Sequence, residues 1–233
     1  MFFPPFSEEK SRFERKFLVT DMHYADIEQQ VRIHPAAFSP IFHSRTINNI
    51  YLDSNDLDFF HDNVSGKGSR KKARIRWYGD MLGYIEKPVL EFKIREGMLG
   101  NKLSFRLKPF TVDANLTAEK LYAVFQNSDL PLWALEVVLQ IKPALLNRYS
   151  RKYFLSFDKK FRLTLDDQLN YFSIGTNNNN FIENYKSEDV IVELKYDYLN
   201  DNFAPEVTNR LPFRLTKSSK YVNGVEMLHP MFA

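Results

Sequence analysis

The strongest constraint on this fold is a two-residue alternation, in which charged or polar residues alternate with apolar or aromatic ones along most of the chain. Successive side chains of an extended strand point to opposite faces, so the pattern predicts half-buried β-strands with one charged face. We predict strands at residues 12–19, 45–52, 72–79, 89–95, 102–108, 148–157, 160–166 and 189–196. About eight strands are enough to close a barrel or to build a sandwich.

Helical periodicity is confined to a few segments, at residues 22–33, 117–127, 131–142 and 203–211. The clearest helix is 117–127, where Thr117 is a suitable N-cap and Leu121, Val124 and Phe125 form one apolar stripe. Strands dominate, so the sequence predicts an α+β fold with antiparallel character. The turn-rich segments, such as the asparagine run at 176–180, do not resemble interdomain linkers, and residues 1–233 are predicted to form a single domain.

The composition narrows the class of protein. The chain has no cysteine, which excludes disulfides, thiolate metal sites and cysteine nucleophiles and fits a reducing compartment. Its start lacks the pattern of a signal peptide, and no stretch approaches 18 apolar residues, so we expect a cytoplasmic location and no direct insertion into a membrane. The net charge of +3 is too small to indicate a generally basic surface, and any strong positive field must be local.

The charged strand faces are rich in arginine and lysine, as in the stretch 71–80, where Arg74 and Arg76 share a face opposite Ile75 and Trp77. The ordinary interpretation is a sandwich whose charged faces meet solvent. If the faces instead turn inward, a polyanion must compensate them, because an unpaired buried charge costs several kcal/mol. Phosphate suits this role, since arginine binds phosphate oxygens bidentately, and the few carboxylates would hold a divalent metal.

Eight segments occur in an order and at spacings that resemble a known family. They are RFERKF, NIYLD, ARIRWYG, LEFKIRE, NRYSRKYF, FRLTLDDQL, VIVELKY and KSSKYVNG, and together they span nearly the whole chain. The sequence resembles the VTC domain, the polyphosphate-polymerase branch of the triphosphate tunnel metalloenzymes, which are related to the CYTH proteins. The resemblance implies a closed antiparallel β-barrel that forms a tunnel lined by arginine and lysine, with helices packed outside.

The resemblance also implies roles for individual residues. It assigns catalytic roles to Lys16, Arg74, Arg76, Lys93, Arg151, Arg162 and Lys220. It assigns substrate binding to Lys102, Arg106, Tyr149, Lys195, Lys217 and Ser219. Glu193 and Glu14 would bind Mn²⁺ or Mg²⁺. Two alternatives stay open: Glu14 could pair with an arginine of the lumen, and Glu193 with Lys195 or Arg151.

One position departs from the CYTH pattern. Those relatives carry E-x-E-x-K in the first strand, whereas this chain has R-x-E-x-K, with Arg12 in the first position. The lost carboxylate weakens a hydrolase interpretation based on two metal ions and favours the VTC branch.

The implied function is that of a transferase, a polyphosphate polymerase that uses ATP or another nucleotide to extend inorganic polyphosphate. The alternatives are a metal-dependent triphosphatase, acting on inorganic triphosphate or nucleoside triphosphates, and a non-catalytic module that binds polyphosphate. We do not expect a nucleic-acid partner, because the alternation places most aromatic residues opposite the cations and leaves bases no surface for stacking.

Overall fold

The protein is described here by a computed structural model that covers residues 12–97, 99–175, 179, 181 and 184–229, without the side chains of residues 12 and 99. The described residues form an α+β structure. Its strands are β1 (Arg12–Val19), β2 (Ser39–Asp53), β3 (Ser69–Tyr78), β4 (Gly83–Ile85), β5 (Val89–Glu96), β6 (Leu99–Arg106), β7 (Phe110–Val112), β8 (Lys142–Leu155), β9 (Phe161–Ser173), β10 (Asn184–Ser187) and β11 (Val190–Asp197). Its helices are α1 (Tyr24–Arg32), α2 (Asp58–Val64), α3 (Ala118–Asn127), α4 (Leu132–Val138), α5 (Ala204–Thr208) and α6 (Lys220–Leu228), with a 3₁₀ helix at Tyr198–Phe203.

Nine strands form one antiparallel sheet in the order β1-β11-β9-β8-β2-β3-β5-β6, with β10 added to β9. This path has two ends, so the sheet is open, and the prediction of a closed β-barrel is wrong. The outer edge of β1 is covered by another segment: Thr216 donates its backbone N–H to the carbonyl of Lys16 at 2.8 Å, and Leu18 N–H donates to Thr216 Oγ1 at 2.9 Å. In this part of β1, backbone groups that could pair with a further strand are thus already in use.

The open sheet is nevertheless strongly curved. β1 and β5 are six steps apart along the sheet, a distance of roughly 29 Å in a flat sheet with ordinary strand spacing. Yet Lys93 Nζ of β5 lies 2.8 Å from Glu14 Oε2 of β1. The charged face is therefore concave, and side chains from the two ends of the sheet meet across it.

The apolar face is convex and carries the core in two clusters. Over β2, β3 and β5, residues such as Ile75, Trp77 and Leu90 pack with Phe125 of α3. Over β1, β9 and β11, a second cluster includes α1 and α5 and contains residues such as Val31. Burial of these side chains stabilises the fold and holds α1, α3 and α5 on the side away from the charged face.

Helix α6 packs closely against β8 and β9 because Gly224 has no side chain. A Cβ at this position would stand 2.6 Å from Tyr171 Cδ1 and 2.9 Å from Leu145 Cδ2. At the start of the helix, Ser219 Oγ accepts a hydrogen bond from the N–H of Val222 at 3.3 Å. The close approach and the cap together fix the first turn of α6 beside the concave face.

The sequence predicted most of these elements and missed others. Thr117 caps α3, since its Oγ1 accepts from Lys120 N–H at 3.3 Å, as expected. The helices α2 and α6 and the short strands β4, β7 and β10 were not predicted. The asparagine run at 176–180 lies outside the described residues except for Asn179. The assignment of residues 1–233 to a single domain stays a prediction.

Within the described part of the chain, no helix has both the length and the apolar character needed to cross a membrane.

We predict that Trp77→Ala lowers the free energy of unfolding by about 3–5 kcal/mol, because the indole is 2% exposed and packs edge-on against Phe110. Chemical denaturation would measure the change. Tyr84→Ala is a suitable control, since Tyr84 is 70% exposed, and should change stability by no more than about 0.5 kcal/mol. An unchanged unfolding midpoint in the Trp77 variant would contradict the burial of this face.

Candidate functional site

The concave face gathers charged side chains from seven strands and from α6 into one cluster, which we call the basic cleft. Among the described residues it contains nine cations and four carboxylates that are linked by ion pairs or lie beside them. The cations are Lys16, Lys72, Arg74, Arg76, Lys93, Lys102, Arg151, Lys195 and Lys220, and the carboxylates are Glu14, Glu91, Asp166 and Glu193. Residues at spacings of two along each strand supply the cluster, as the alternation in the sequence requires.

Glu91 of β5 binds three of these cations. Arg74 donates to its Oε2 through Nε at 2.9 Å and Nη2 at 2.6 Å, and Lys102 Nζ lies 2.8 Å from Oε1. Arg76 Nη1 stands farther away, at 3.6 Å, and its other nitrogens donate to Asn49 Oδ1 and to a tyrosine hydroxyl. Burial opposes the charge, but Arg74 and Arg76 outweigh it and hold the pKa of Glu91 well below its usual range. Glu91 therefore stays ionised and orients the two arginines.

Glu193 of β11 is the most heavily shared carboxylate. It accepts hydrogen bonds from Lys195 at 2.8 Å and Arg151 at 3.1 Å, and it lies 3.2 Å from Lys16 and 3.7 Å from Lys220. Its side chain is buried, which by itself would favour the neutral acid. The surrounding cations, led by Lys195 and Lys16, reverse this effect and lower the pKa of Glu193 well below its ordinary value.

Asp166 of β9 anchors the buried end of the cluster. Arg151 donates to its two oxygens through Nε at 2.5 Å and Nη2 at 2.6 Å, and Lys220 forms an ion pair with the same carboxylate. The ring of Tyr149 lies against both cations, 4.8 Å from Lys220 Nζ and 5.4 Å from the Arg151 guanidinium carbon. Although burial raises the pKa of the Tyr149 hydroxyl, the nearby arginines Arg151 and Arg76 lower it overall.

Glu14 of β1 joins the two ends of the sheet. It lies 2.8 Å from Lys93, 3.5 Å from Lys16 and 3.6 Å from Lys195. Lys16 and Lys195 also contact Glu193, so the two carboxylates share two lysines. Burial and the charge of Glu193 oppose ionisation of Glu14, but the lysines prevail and its pKa is lowered well below the ordinary value.

The segment before α6 closes one side of the basic cleft. Lys72 Nζ donates to Ser219 Oγ at 2.7 Å, and Lys16 Nζ donates to the carbonyl of Ser218 at 3.1 Å. Burial and the like charges of Lys16 and Lys93 lower the pKa of Lys72 well below its ordinary value. Burial and neighbouring lysines thus disfavour the charged form of Lys72. No described carboxylate lies within ion-pair distance of it.

The structure brings together most of the residues that the sequence assigned. In the basic cleft or in contact with it lie Lys16, Arg74, Arg76, Lys93, Lys102, Tyr149, Arg151, Glu14, Glu193, Lys195, Ser219 and Lys220. Arg106, Arg162 and Lys217 are exposed and make no side-chain hydrogen bond or ion pair within the described residues. The side chain of Arg12 lies outside the described residues.

Four residues of the site were not assigned from the sequence. Lys72 extends the R-x-R pair to K-x-R-x-R at the same two-residue spacing, so the alternation itself could have identified it. Glu91 and Asp166 lie in two of the eight sequence segments that resemble the VTC domain. Their role as shared counter-ions depends on which cations face them in the folded sheet, and the sequence alone does not show this. Asn49 lies on β2, and only the pairing of Asn49 with Arg76 in the sheet reveals its contact.

Within the cleft the described carboxylates do not balance all the positive charges, and some buried hydroxyls have no hydrogen-bond partner. The described cations of the cleft exceed its carboxylates by five, whereas the whole chain has a net charge of only +3. Two buried hydroxyls, Thr164 Oγ1 of β9 and Ser218 Oγ, have no hydrogen-bond partner among the described residues. Buried polar atoms are normally satisfied, so a polar, negatively charged ligand fits this face.

The carboxylates that lie nearest to a metal-binding arrangement are Glu14 and Glu193. In the described part of the chain, no group of three or more histidine, aspartate or glutamate side chains is placed to hold a metal ion.

Comparison with solved structures places the fold among known proteins. It is similar to a candidate adenylate cyclase from Vibrio parahaemolyticus, with 11% identity, coverage of 92% of this chain and 99% of that chain, and a TM-score of 0.51. A candidate adenylate cyclase from Bacillus halodurans gives 15% identity, coverage of 90% and 94%, and a TM-score of 0.50. HpAC1 from Hippeastrum, a candidate adenylyl cyclase described as having a dominant triphosphatase activity, gives 12% identity, coverage of 92% and 95%, and a TM-score of 0.50.

A comparison with curated proteins returned no match. The model of the VTC domain family matches residues 11–229, which is nearly the whole chain and includes every residue of the basic cleft. This match confirms the resemblance drawn from the eight sequence segments. The chain belongs to the VTC domain family.

Proposed function

We propose that the basic cleft binds the phosphate chain of a nucleoside triphosphate, such as ATP, and transfers its terminal phosphoryl group to a growing inorganic polyphosphate. The observation that carries the proposal is the excess of cations over carboxylates on one concave face. Membership in the VTC domain family supports it. The protein would then act as a polyphosphate polymerase.

The arrangement of the cations suits a linear chain of phosphates. Arg74, Arg76 and Arg151 offer planar groups that bind two oxygens at once, whereas lysines supply compact charges. Lys93 and Lys102 are about half exposed, at 50% and 54% of the side chain, and are accessible to an entering anion. An oligophosphate would neutralise the excess charge that the four carboxylates leave uncompensated.

The carboxylates give the free protein an organised site. Glu91 and Asp166 hold Arg74 and Arg151 through two hydrogen bonds each, so the guanidinium groups need little reorientation when substrate arrives. Donors fixed in place before the reaction stabilise developing charge more effectively than mobile ones. These ion pairs also explain how so many cations are tolerated on one face without a ligand.

A divalent metal fits the donors that Glu14 and Glu193 provide. Both carboxylates are held ionised, and hard ions such as Mg²⁺ and Mn²⁺ bind oxygen ligands, commonly one or two carboxylates together with substrate phosphates. When bound, such an ion would neutralise charge on the phosphate oxygens. Lys16 and Lys195 contact both glutamates and hold the two carboxylates together on this side of the cleft.

The proposed transfer needs no nucleophile from the protein. An oxygen at the end of the acceptor chain attacks the terminal phosphorus of the donor in line, while the bond from that phosphorus to the bridging oxygen breaks and the nucleoside diphosphate leaves. Arg76, Arg151 and Lys220 spread the charge of the transferred group, and Tyr149 positions these cations through its ring and hydroxyl. If water attacked the terminal phosphorus instead of the acceptor chain, the donor would be hydrolysed. Polymer growth therefore requires that water be excluded from this step.

A triphosphatase is the second candidate, because it would use the same cations with water as the acceptor. The similarity to HpAC1, described as having a dominant triphosphatase activity, favours this alternative. The two functions differ only in which acceptor occupies the cleft opposite the leaving group.

We expect purified protein incubated with ATP and Mn²⁺ to produce long phosphate polymers, detectable on a gel stained for polyphosphate. Free phosphate without polymer would identify a triphosphatase instead. Binding of polyphosphate that persists in EDTA, with no turnover of ATP under any condition, would show a non-catalytic module and refute the proposed transfer.

We predict that Arg76→Ala reduces turnover by about 10²–10³-fold, because it removes a charged donor that faces the site. Arg76→Lys should restore only part of the activity, since lysine keeps the charge but loses the planar fork. Lys87→Ala is the matched control: Lys87 is 85% exposed and pairs with Glu86 at 3.6 Å, away from the cleft. Near-normal turnover in both Arg76 variants, with folding intact, would contradict the assignment.

Phosphate binding should also change the protonation of Lys72. Its pKa is lowered in the free protein by burial and by the like charges of Lys16 and Lys93, and an arriving polyanion would favour the charged form. We predict net proton uptake when tripolyphosphate binds, measured by calorimetry in buffers of different ionisation enthalpy. Lys72→Met should reduce this uptake, and identical uptake in both proteins would exclude Lys72 as its source.

The same pKa shift predicts how stability depends on pH. The unfolded lysine keeps its ordinary, higher pKa, so between the two pKa values the unfolded state binds more protons. The contribution of Lys72 therefore makes the free protein more stable as pH rises through this interval.

A further inference from the structure

At one end of the basic cleft the charged face changes character and becomes aromatic. Phe42, Tyr78 and Tyr153 surround the guanidinium of Arg45, whose central carbon lies 4.6, 5.9 and 5.7 Å from the three ring centroids. Phe42 and Tyr78 are 50% and 53% exposed. We call these four residues the aromatic platform.

A break in strand pairing places Phe42 on this face. Arg45 pairs with Arg151, and Phe42 pairs with Tyr153, so three residues of β2 correspond to two of β8. Without the extra residue, Phe42 would point to the opposite face of the sheet. A bulge of this kind re-aims a side chain and is common beside functional sites. It also overturns, at this end of the cleft, the sequence argument that aromatic residues lie opposite the cations.

The aromatic platform continues directly from the basic cleft. Tyr78 follows Arg76 by two residues on the same face of β3, a separation of about 7 Å along the strand. Tyr153 follows Arg151 in the same way on β8, and the Arg151 guanidinium carbon lies 5.9 Å from the Tyr153 ring centroid. A ligand whose anionic part contacts Arg76 and Arg151 would therefore extend its next group onto the platform.

Arg45 itself is suited to an aromatic ligand. It is exposed, and within the described residues no carboxylate forms an ion pair with it. A planar guanidinium among aromatic rings stacks well on a flat π-system, and aromatic side chains with arginine are a common surface for bases.

We propose that the aromatic platform of Phe42, Arg45, Tyr78 and Tyr153 binds the base of a nucleoside triphosphate whose phosphates occupy the basic cleft. This inference rests on the proposed function and makes it more specific, because it assigns the residues that contact the base of the nucleotide. Stacking requires only a π-face, so the platform accepts different bases and favours purines, whose ring surface is larger.

A nucleotide fits this surface better than a protein partner does. The platform is a small group of four side chains, whereas a stable protein interface buries about 800 Å² on each side. Its position at the end of a strongly cationic cleft matches a ligand that is aromatic at one end and highly anionic at the other.

The test compares the binding of a non-hydrolysable ATP analogue with that of inorganic tripolyphosphate, both measured by calorimetry with the same divalent metal. In the double variant Phe42→Ala and Tyr78→Ala, we expect the analogue to bind roughly tenfold or more weakly, and tripolyphosphate to bind as before. Arg45→Lys should show the same selective effect, because it keeps the charge and loses the stacking plane. Tyr198→Ala provides the control, since Tyr198 is 57% exposed and lies in the 3₁₀ helix on the outer side of the sheet.

The possible outcomes separate this inference from the proposed function. If the platform variants leave the ratio of the two affinities unchanged while the unaltered protein binds both ligands, the inference is wrong and the phosphate cleft stands. If the unaltered protein binds neither ligand, the proposed function fails and the inference fails with it. A thermal unfolding midpoint close to that of the unaltered protein would show that the half-exposed rings act on the ligand and not on the fold.

Discussion

The sharing of four carboxylates among nine cations, counted over the described residues, is the interaction on which the site depends. A concave surface with this many lysines and arginines would repel itself if the charges faced one another without counter-ions. Glu91, Asp166, Glu193 and Glu14 each contact two or more cations and remain ionised because the cations outnumber them. The remaining positive charge is what a polyanionic substrate would neutralise, so one arrangement both permits folding and prepares binding.

The curvature of the sheet makes this arrangement possible. The helices α1, α3 and α5 pack on the convex face, where the apolar half of each strand is buried, and the charged half is left on the inside of the curve. The sheet does not need to close for its ends to cooperate, since the ion pair between Glu14 and Lys93 spans them. The edge of β1 is occupied by residues before α6, and the same segment supplies Ser219 and Lys220 to the site. One connection therefore both ends the sheet and completes the cluster.

Much of the site could be predicted from the sequence because strand alternation is a local property. It placed Arg74 and Arg76 on one face and Trp77 on the other, and the resemblance to the VTC domain identified Lys16, Arg151, Glu193 and Lys220. The rest could not be predicted in this way. Arg106, Arg162 and Lys217 carry the expected charge but are exposed and make no side-chain hydrogen bond or ion pair among the described residues, so their roles stay predictions, and the role of Asn49 depends on its neighbour across the sheet. Phe42 reaches the charged face only through a bulge, which a two-residue period does not reveal.

By itself, the sequence determined which residues are strand-forming, which side of each strand is charged, and the family to which the chain belongs. The tertiary structure alone decided that the sheet stays open, which carboxylate serves which cation, and that aromatic rings gather at one end of the cleft. The physical reason is the range of the interactions. Alternation and propensity act between residues close in the chain, whereas ion pairing, sheet closure and ring clustering depend on distances between segments that are far apart in the sequence and are fixed only by packing.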